Sequence, residues 1–132
     1  MIARYFRVAG LAVLTAGVGG TVSWADSGPF TTQQAENGHV LFNNNCAQCH
    51  RPDLSGAMGP ALTGDQFKAK WGNKTVAELR TYIHENMPKT APHTLSDDKL
   101  DPIVAWILAK NGAQGGDKPL TKDTAESAKV AK

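Results

Sequence analysis

The sequence predicts an all-α fold of three to five helices, and three observations carry that prediction. Apolar residues recur at helical spacing in separate segments, each opened by a capping residue and closed by asparagine, glycine or proline. No segment shows the alternating pattern of a half-buried strand. The third observation is a cluster, Cys46-Ala47-Gln48-Cys49-His50, whose spacing makes chemical sense as one helical turn. Positions i, i+3 and i+4 of a helix share a face, so both sulfurs and the imidazole would project to one side.

The first 25 residues read as an export leader. Arg4 and Arg7 form a basic start, Val8 to Val22 is apolar but diluted by glycine, and Ser23-Trp24-Ala25 offers a small-residue cleavage site before Asp26. The alternative is an uncleaved membrane anchor, for which this stretch is just long enough. The formal charge of +2 falls to 0 once Arg4 and Arg7 are removed, so a nucleic-acid partner is not indicated. Residues 26–112 are expected to form one domain, and 113–132 a surface wrap ending in a flexible tail. No stretch after the leader could span a membrane.

The helices follow in order. Thr31 and Gln34 fit a capping box that opens the first helix, and Asn43-Asn44-Asn45 closes it. Gly38 and Phe42 lie four apart on one face, where an interior glycine suits close approach by another helix. Residues 51–64 are loop, broken by Pro52, Gly56, Gly59, Pro60 and Gly64. Gln66 to Trp71 is a short helix. Thr75 and Glu78 form a second capping box before Val76, Leu79 and Ile83, and Pro88 stops that helix near Asn86. Ser96 caps the last long helix, with Asp97 and Asp98 at its positive end. One kinked helix through Pro102 is preferred to a shorter one capped by Asp101, and Asn111-Gly112 ends it.

In an exported chain, two cysteines first suggest a disulfide. A redox Cys pair would need a βαβ context, and a zinc site would need further ligands at matching spacing; neither is present, and His39, His84 and His93 are scattered. Two cysteines three apart followed at once by histidine form the attachment pattern of a c-type haem. Cys46 and Cys49 would reach the vinyl groups of the porphyrin while His50 is aimed at the iron. One such motif implies one haem. An axial histidine needs its second ring nitrogen held, and the carbonyl of Pro60 is the candidate. Gly59 and Pro60 suit a chain held against a flat ligand.

Taken together, these residues resemble the class I cytochromes c over about 32–112. The resemblance is carried by Cys46-Ala47-Gln48-Cys49-His50, by Gly59-Pro60-Ala61-Leu62-Thr63-Gly64, by Met87-Pro88 with Pro92 and Leu95-Ser96, and by Val104-Ala105-Trp106-Ile107. It implies a cytochrome c fold around one covalently attached haem c. Cys46 and Cys49 would be the thioether positions, His50 and Met87 the axial ligands, and Pro60 the residue that orients His50. It also implies contact of Gly38 and Phe42 with Trp106. Of the other methionines, Met1 lies in the leader and Met58 lies in the loop needed on the histidine side; His84, His93 or an open site are the alternatives to Met87.

His/Met ligation leaves no open position for a substrate, so the expected function is a periplasmic one-electron carrier and not an enzyme. Its partners would be a redox donor and acceptor, such as a periplasmic dehydrogenase and a terminal oxidase. Asn111 to Leu120 follows an Asn-Gly-x-x-x-Gly-Asp-x-x-Leu pattern, similar to single-haem modules that accompany quinoprotein dehydrogenases, which makes a dehydrogenase subunit or dedicated partner the second reading. A haem enzyme or gas sensor with an open iron site is the third; no distal acid–base set supports it. Lys68, Lys70, Lys74, Arg80 and Lys89 outnumber Glu78 and Glu85 between residues 66 and 90. They form either a rim that steers an acidic partner or an ordinary solvated face.

Overall fold

Each expected capping site in the computed structural model marks the start of a helix. The structure describes residues 28–131; the leader and its cleavage before Asp26 lie outside them. The helices are α1 (Thr32–Asn45), α2 (Ala47–His50), α3 (Gly64–Trp71), α4 (Val76–Asn86), α5 (Asp97–Lys110) and α6 (Lys122–Ala125). Among the described residues there is no strand, only an isolated antiparallel bridge between Thr75 and Lys129. Two of the six helices, α2 and α6, are single turns of four residues, which accounts for the excess over the expected three to five. No described helix is long and apolar enough to cross a membrane.

The Thr31 hydroxyl accepts a hydrogen bond from the Gln34 backbone N–H at 3.1 Å, as its capping role requires. The other half of that box does not form. Gln34 instead donates its amide to the Leu120 carbonyl at 2.8 Å and accepts the Leu120 N–H at 2.7 Å. Both backbone groups of a buried, non-helical residue are thereby satisfied. The box at α4 is complete: Thr75 accepts from the Glu78 N–H at 3.1 Å and its own N–H donates to the Glu78 carboxylate at 2.8 Å. Ser96 stands at the start of α5 without a side-chain capping bond.

Ala35, Gly38 and Phe42 are the buried face of α1, and α1 with α5 is the principal helix pair. A Cβ on Gly38 would run into the Pro102 carbonyl and lie 3.1 Å from the Trp106 Cβ. Glycine is therefore what lets the two backbones meet. Pro102 sits inside one uninterrupted helix, as preferred. Leu100, Ile103, Val104, Ala105, Ile107 and Leu108 bury most of the circumference of α5. The helix is covered on several sides, which explains its uninterrupted apolar composition.

Within the described residues, the segment after α5 is docked against the rest of the chain. Gly116 N–H donates to the Phe30 carbonyl at 2.6 Å, Val76 N–H to Ala128 at 2.9 Å, and Val130 N–H to Lys74 at 2.9 Å. Leu120, Ala125 and Val130 are buried, each at 2 % exposure or less. Three separated apolar residues and a few backbone bonds hold a segment whose composition is otherwise polar.

Candidate haem-binding site

The site is built on α2. The Cys46 carbonyl accepts from the Cys49 N–H at 3.2 Å and from the His50 N–H at 3.0 Å, so the motif is a helical turn and its three side chains share a face. A one-turn helix leaves its last carbonyls unpaired, and the following loop supplies the donors. Gly56 N–H bonds the His50 carbonyl at 3.0 Å, while Ala57 and Gly59 N–H bond the Cys49 carbonyl at 3.1 and 3.0 Å. The loop is thereby folded back over the motif. Arg51 takes φ 63° and ψ 154° at the point of reversal, a conformation that is nearly restricted to glycine. Leu54, with φ 63°, is fully buried beneath the loop.

The folded-back loop places two groups on His50. The Pro60 carbonyl lies 2.8 Å from Nδ1. Because a carbonyl only accepts, Nδ1 carries the proton and Nε2 carries the lone pair. Gly59 lies against the ring: a Cβ there would sit 2.6 Å from Cε1, 2.8 Å from Nδ1 and 3.0 Å from Nε2. The imidazole is buried and fixed in orientation and tautomer. Cys46 and Cys49 are half-buried free thiols, not joined to each other. Before any thioether forms, burial pushes the Cys46 thiol up to about 12, with Cys49 adding to the effect.

Met87 terminates α4 and packs half-buried against the core; its N–H bonds the Ile83 carbonyl at 2.8 Å. Met58, the other methionine of the described chain, is 77 % exposed. The donors on α2 suit a c-type haem: two unpaired sulfurs and an imidazole on one face of a turn, the imidazole presenting Nε2.

Several contributors were not legible in the sequence. Arg80 is buried and donates from Nε to Asp101 and from Nη2 to Asp97, both at 2.6 Å. It is therefore a link between α4 and α5 and not a member of the basic rim, which reduces to Lys68, Lys70, Lys74 and Lys89. Burial pushes the Asp101 carboxyl above its usual range, and the Arg80 guanidinium partly holds it back. Asn111, expected as a helix stop and as the start of the Asn111–Leu120 pattern, also donates to the Leu62 carbonyl at 2.8 Å, tying the end of α5 to the haem-motif loop. Phe67 and Trp71 are both buried, and Trp71 meets Tyr82 edge-on with ring centres 5.2 Å apart.

An all-helical chain with a Cys-x-x-Cys-His turn and a carbonyl-held histidine is a class I c-type cytochrome. Residues 33–107 match the model of the family described as "Cytochrome C oxidase, cbb3-type, subunit III", and the chain belongs to that family. It is 28% identical over 85 residues to "Cytochrome c-551" of Bacillus subtilis, an overlap of 64% of this chain and 71% of the relative. It is 31% identical over 67 residues to "Cytochrome c-550" of the same organism, covering 51% of this chain and about half (52%) of that relative. Among solved structures it is similar to "Crystal Structure of the Sulfane Dehydrogenase SoxCD from Paracoccus pantotrophus". That likeness has a TM-score of 0.58 and 24% identity over 81% of this chain and 61% of the other; it supports the fold. The cofactor is accordingly covalent haem c, and the protein is an electron carrier of the cytochrome c family.

Proposed function

We propose that the protein is a periplasmic one-electron carrier with His50 and Met87 as axial ligands and Cys46 and Cys49 as the thioether positions. The mature chain would begin at Asp26 and carry its cytochrome domain over 26–112, followed by the surface wrap and tail of 113–132. The observation that carries this reading is the hydrogen bond that fixes the tautomer of His50 on the Cys46–His50 turn; the half-buried Met87 at the end of α4 supports it as the candidate second ligand.

Bound haem c supplies a reversible one-electron couple. The chain's own residues hold and tune it. The Pro60 carbonyl keeps the proton on Nδ1 and leaves Nε2 as the ligand atom; a hydrogen-bonded imidazole is also a stronger donor. Gly59 admits the ring at a distance that no other residue allows. Met87 would hold the iron together with His50; such a thioether would raise the potential and leave no position for a substrate, which favours a carrier over an enzyme. The exposed Lys68, Lys70 and Lys89 are available for an acidic partner.

Carbon monoxide added to the reduced protein at neutral pH should leave its spectrum unchanged. Ready binding of the gas would mean an open or easily vacated iron site and would overturn the reading. A second reading, the electron acceptor of a periplasmic dehydrogenase, is favoured by the Asn111–Leu120 segment and by the fold shared with the sulfane dehydrogenase structure. Tight co-purification with a dehydrogenase would select it over a free shuttle.

A further inference from the structure

Two histidines that the haem chemistry does not use come together around the candidate sixth ligand. His84 lies in the last turn of α4, before Met87, and His93 lies in the loop after it. Their rings meet edge-on with centres 5.5 Å apart and an interplanar angle of 77°. The His93 N–H donates to the His84 carbonyl at 3.0 Å, so the backbone itself holds the pair together. His93 has φ 62°, a left-handed conformation uncommon outside glycine. His84 is half-buried and His93 exposed, leaving the pair accessible from solvent.

We infer that His84 and His93 form a two-imidazole site for a divalent transition-metal ion, separate from the haem iron. Imidazole nitrogens bind such ions at about 2.0–2.1 Å, and two rings on one ion then have centres roughly 4.5 to 5.5 Å apart, from the tetragonal to the tetrahedral angle. The observed spacing already lies at that value. No group of three or more His, Cys, Asp or Glu side chains able to hold a metal occurs among the described residues, so water completes the coordination. Two imidazoles with water suit Cu(II), the tightest binder in the affinity order, and Zn(II), whose tetrahedral preference matches the spacing, while Mg(II) and Ca(II) take oxygen donors and are excluded. A bound ion would tie the end of α4 to the loop beyond Met87, clamping the segment from both sides. The inference does not depend on Met87 being the ligand.

The test is titration of the ferric holoprotein with Cu(II), read by equilibrium dialysis and by electron paramagnetic resonance. One Cu(II) per chain should bind, with hyperfine structure from two nitrogens. His84→Ala and His93→Asn should each weaken binding at least tenfold, asparagine being chosen because it tolerates the positive φ. His39→Ala, which alters an exposed ring stacked on Trp106, should change nothing. The haem spectrum should be the same in all three variants. Absence of stoichiometric binding, or binding unchanged in either pair variant, would overturn the inference. A haem spectrum altered in His84→Ala or His93→Asn would also overturn it, by assigning that histidine to the haem iron.

Discussion

Arg80 sets up a comparison in which two aspartates differ in burial but not in distance. Its side chain is 8% exposed and makes two contacts of 2.6 Å, to Asp101 at 10% exposure and to Asp97 at 71%. Removing one partner of a buried ion pair costs about 3–5 kcal/mol, because the remaining charge is left in a poor solvent. An exposed pair is worth about 0–1 kcal/mol. Asparagine at 101 keeps an acceptor for Nε, and Arg80 would retain Asp97, so Asp101→Asn should cost about 2–4 kcal/mol. Asp97→Asn should cost less than about 1 kcal/mol, since water already screens that arm. Urea unfolding of the holoprotein, with an unchanged dependence on urea in both variants, provides the measurement. Equal losses, or a loss at Asp101 below about 1 kcal/mol, would refute burial as the source of the energy. Met87 follows Arg80 by two turns of the same helix, so Asp101→Asn should also loosen the segment that carries it.

Three further outcomes follow from the geometry. Gly59→Ala would force a methyl to within 2.6–3.0 Å of three His50 ring atoms; it should sharply lower the yield of haem-loaded protein and shift the potential of what remains. Arg51→Gly should stabilise the protein by about 1 kcal/mol by relieving the conformation after His50, against the usual direction of a glycine substitution; a loss in thermal unfolding would contradict this. Hydrogen bonds from the Thr75 N–H and hydroxyl hold the Glu78 carboxyl below its usual range. A lowered folded pKa contributes stability above the unfolded value, lost as pH falls through the folded one. Glu78→Gln should therefore destabilise at neutral pH, and its deficit should close below about pH 4, near the ordinary glutamate pKa; a deficit that does not depend on pH would argue against the charged cap.

Local signals were legible where local chemistry decides. Thr75 with Glu78, the stop at Pro88 and the helix through Pro102 all depend on neighbours in sequence. The link between Pro60 and His50 was foreseeable because a ligating imidazole requires an acceptor and the loop had few stiff positions to offer one. Contacts between distant segments were hidden. Gln34 has the right spacing for a capping box, yet Leu120, far along the chain, competes successfully for its side chain. Arg80 reads as one more surface charge until α5 brings Asp101 against it. Leu120, Ala125 and Val130 are too widely spaced to form a periodic pattern, so the docking of the C-terminal wrap left no signal. Gly38 announced a close approach and the resemblance named Trp106 for it, but the Pro102 carbonyl, which lies nearer still, was not foreseen.

The central claim, a His50/Met87-ligated haem c that works as a carrier, is tested most directly by the visible spectrum of the oxidised protein and two variants. The wild type and Met58→Ala should both show a weak sulfur-to-iron charge-transfer band near the red end of the visible range, and Met87→Ala should lack it. Persistence of the band in Met87→Ala, or its loss in Met58→Ala, would contradict the account.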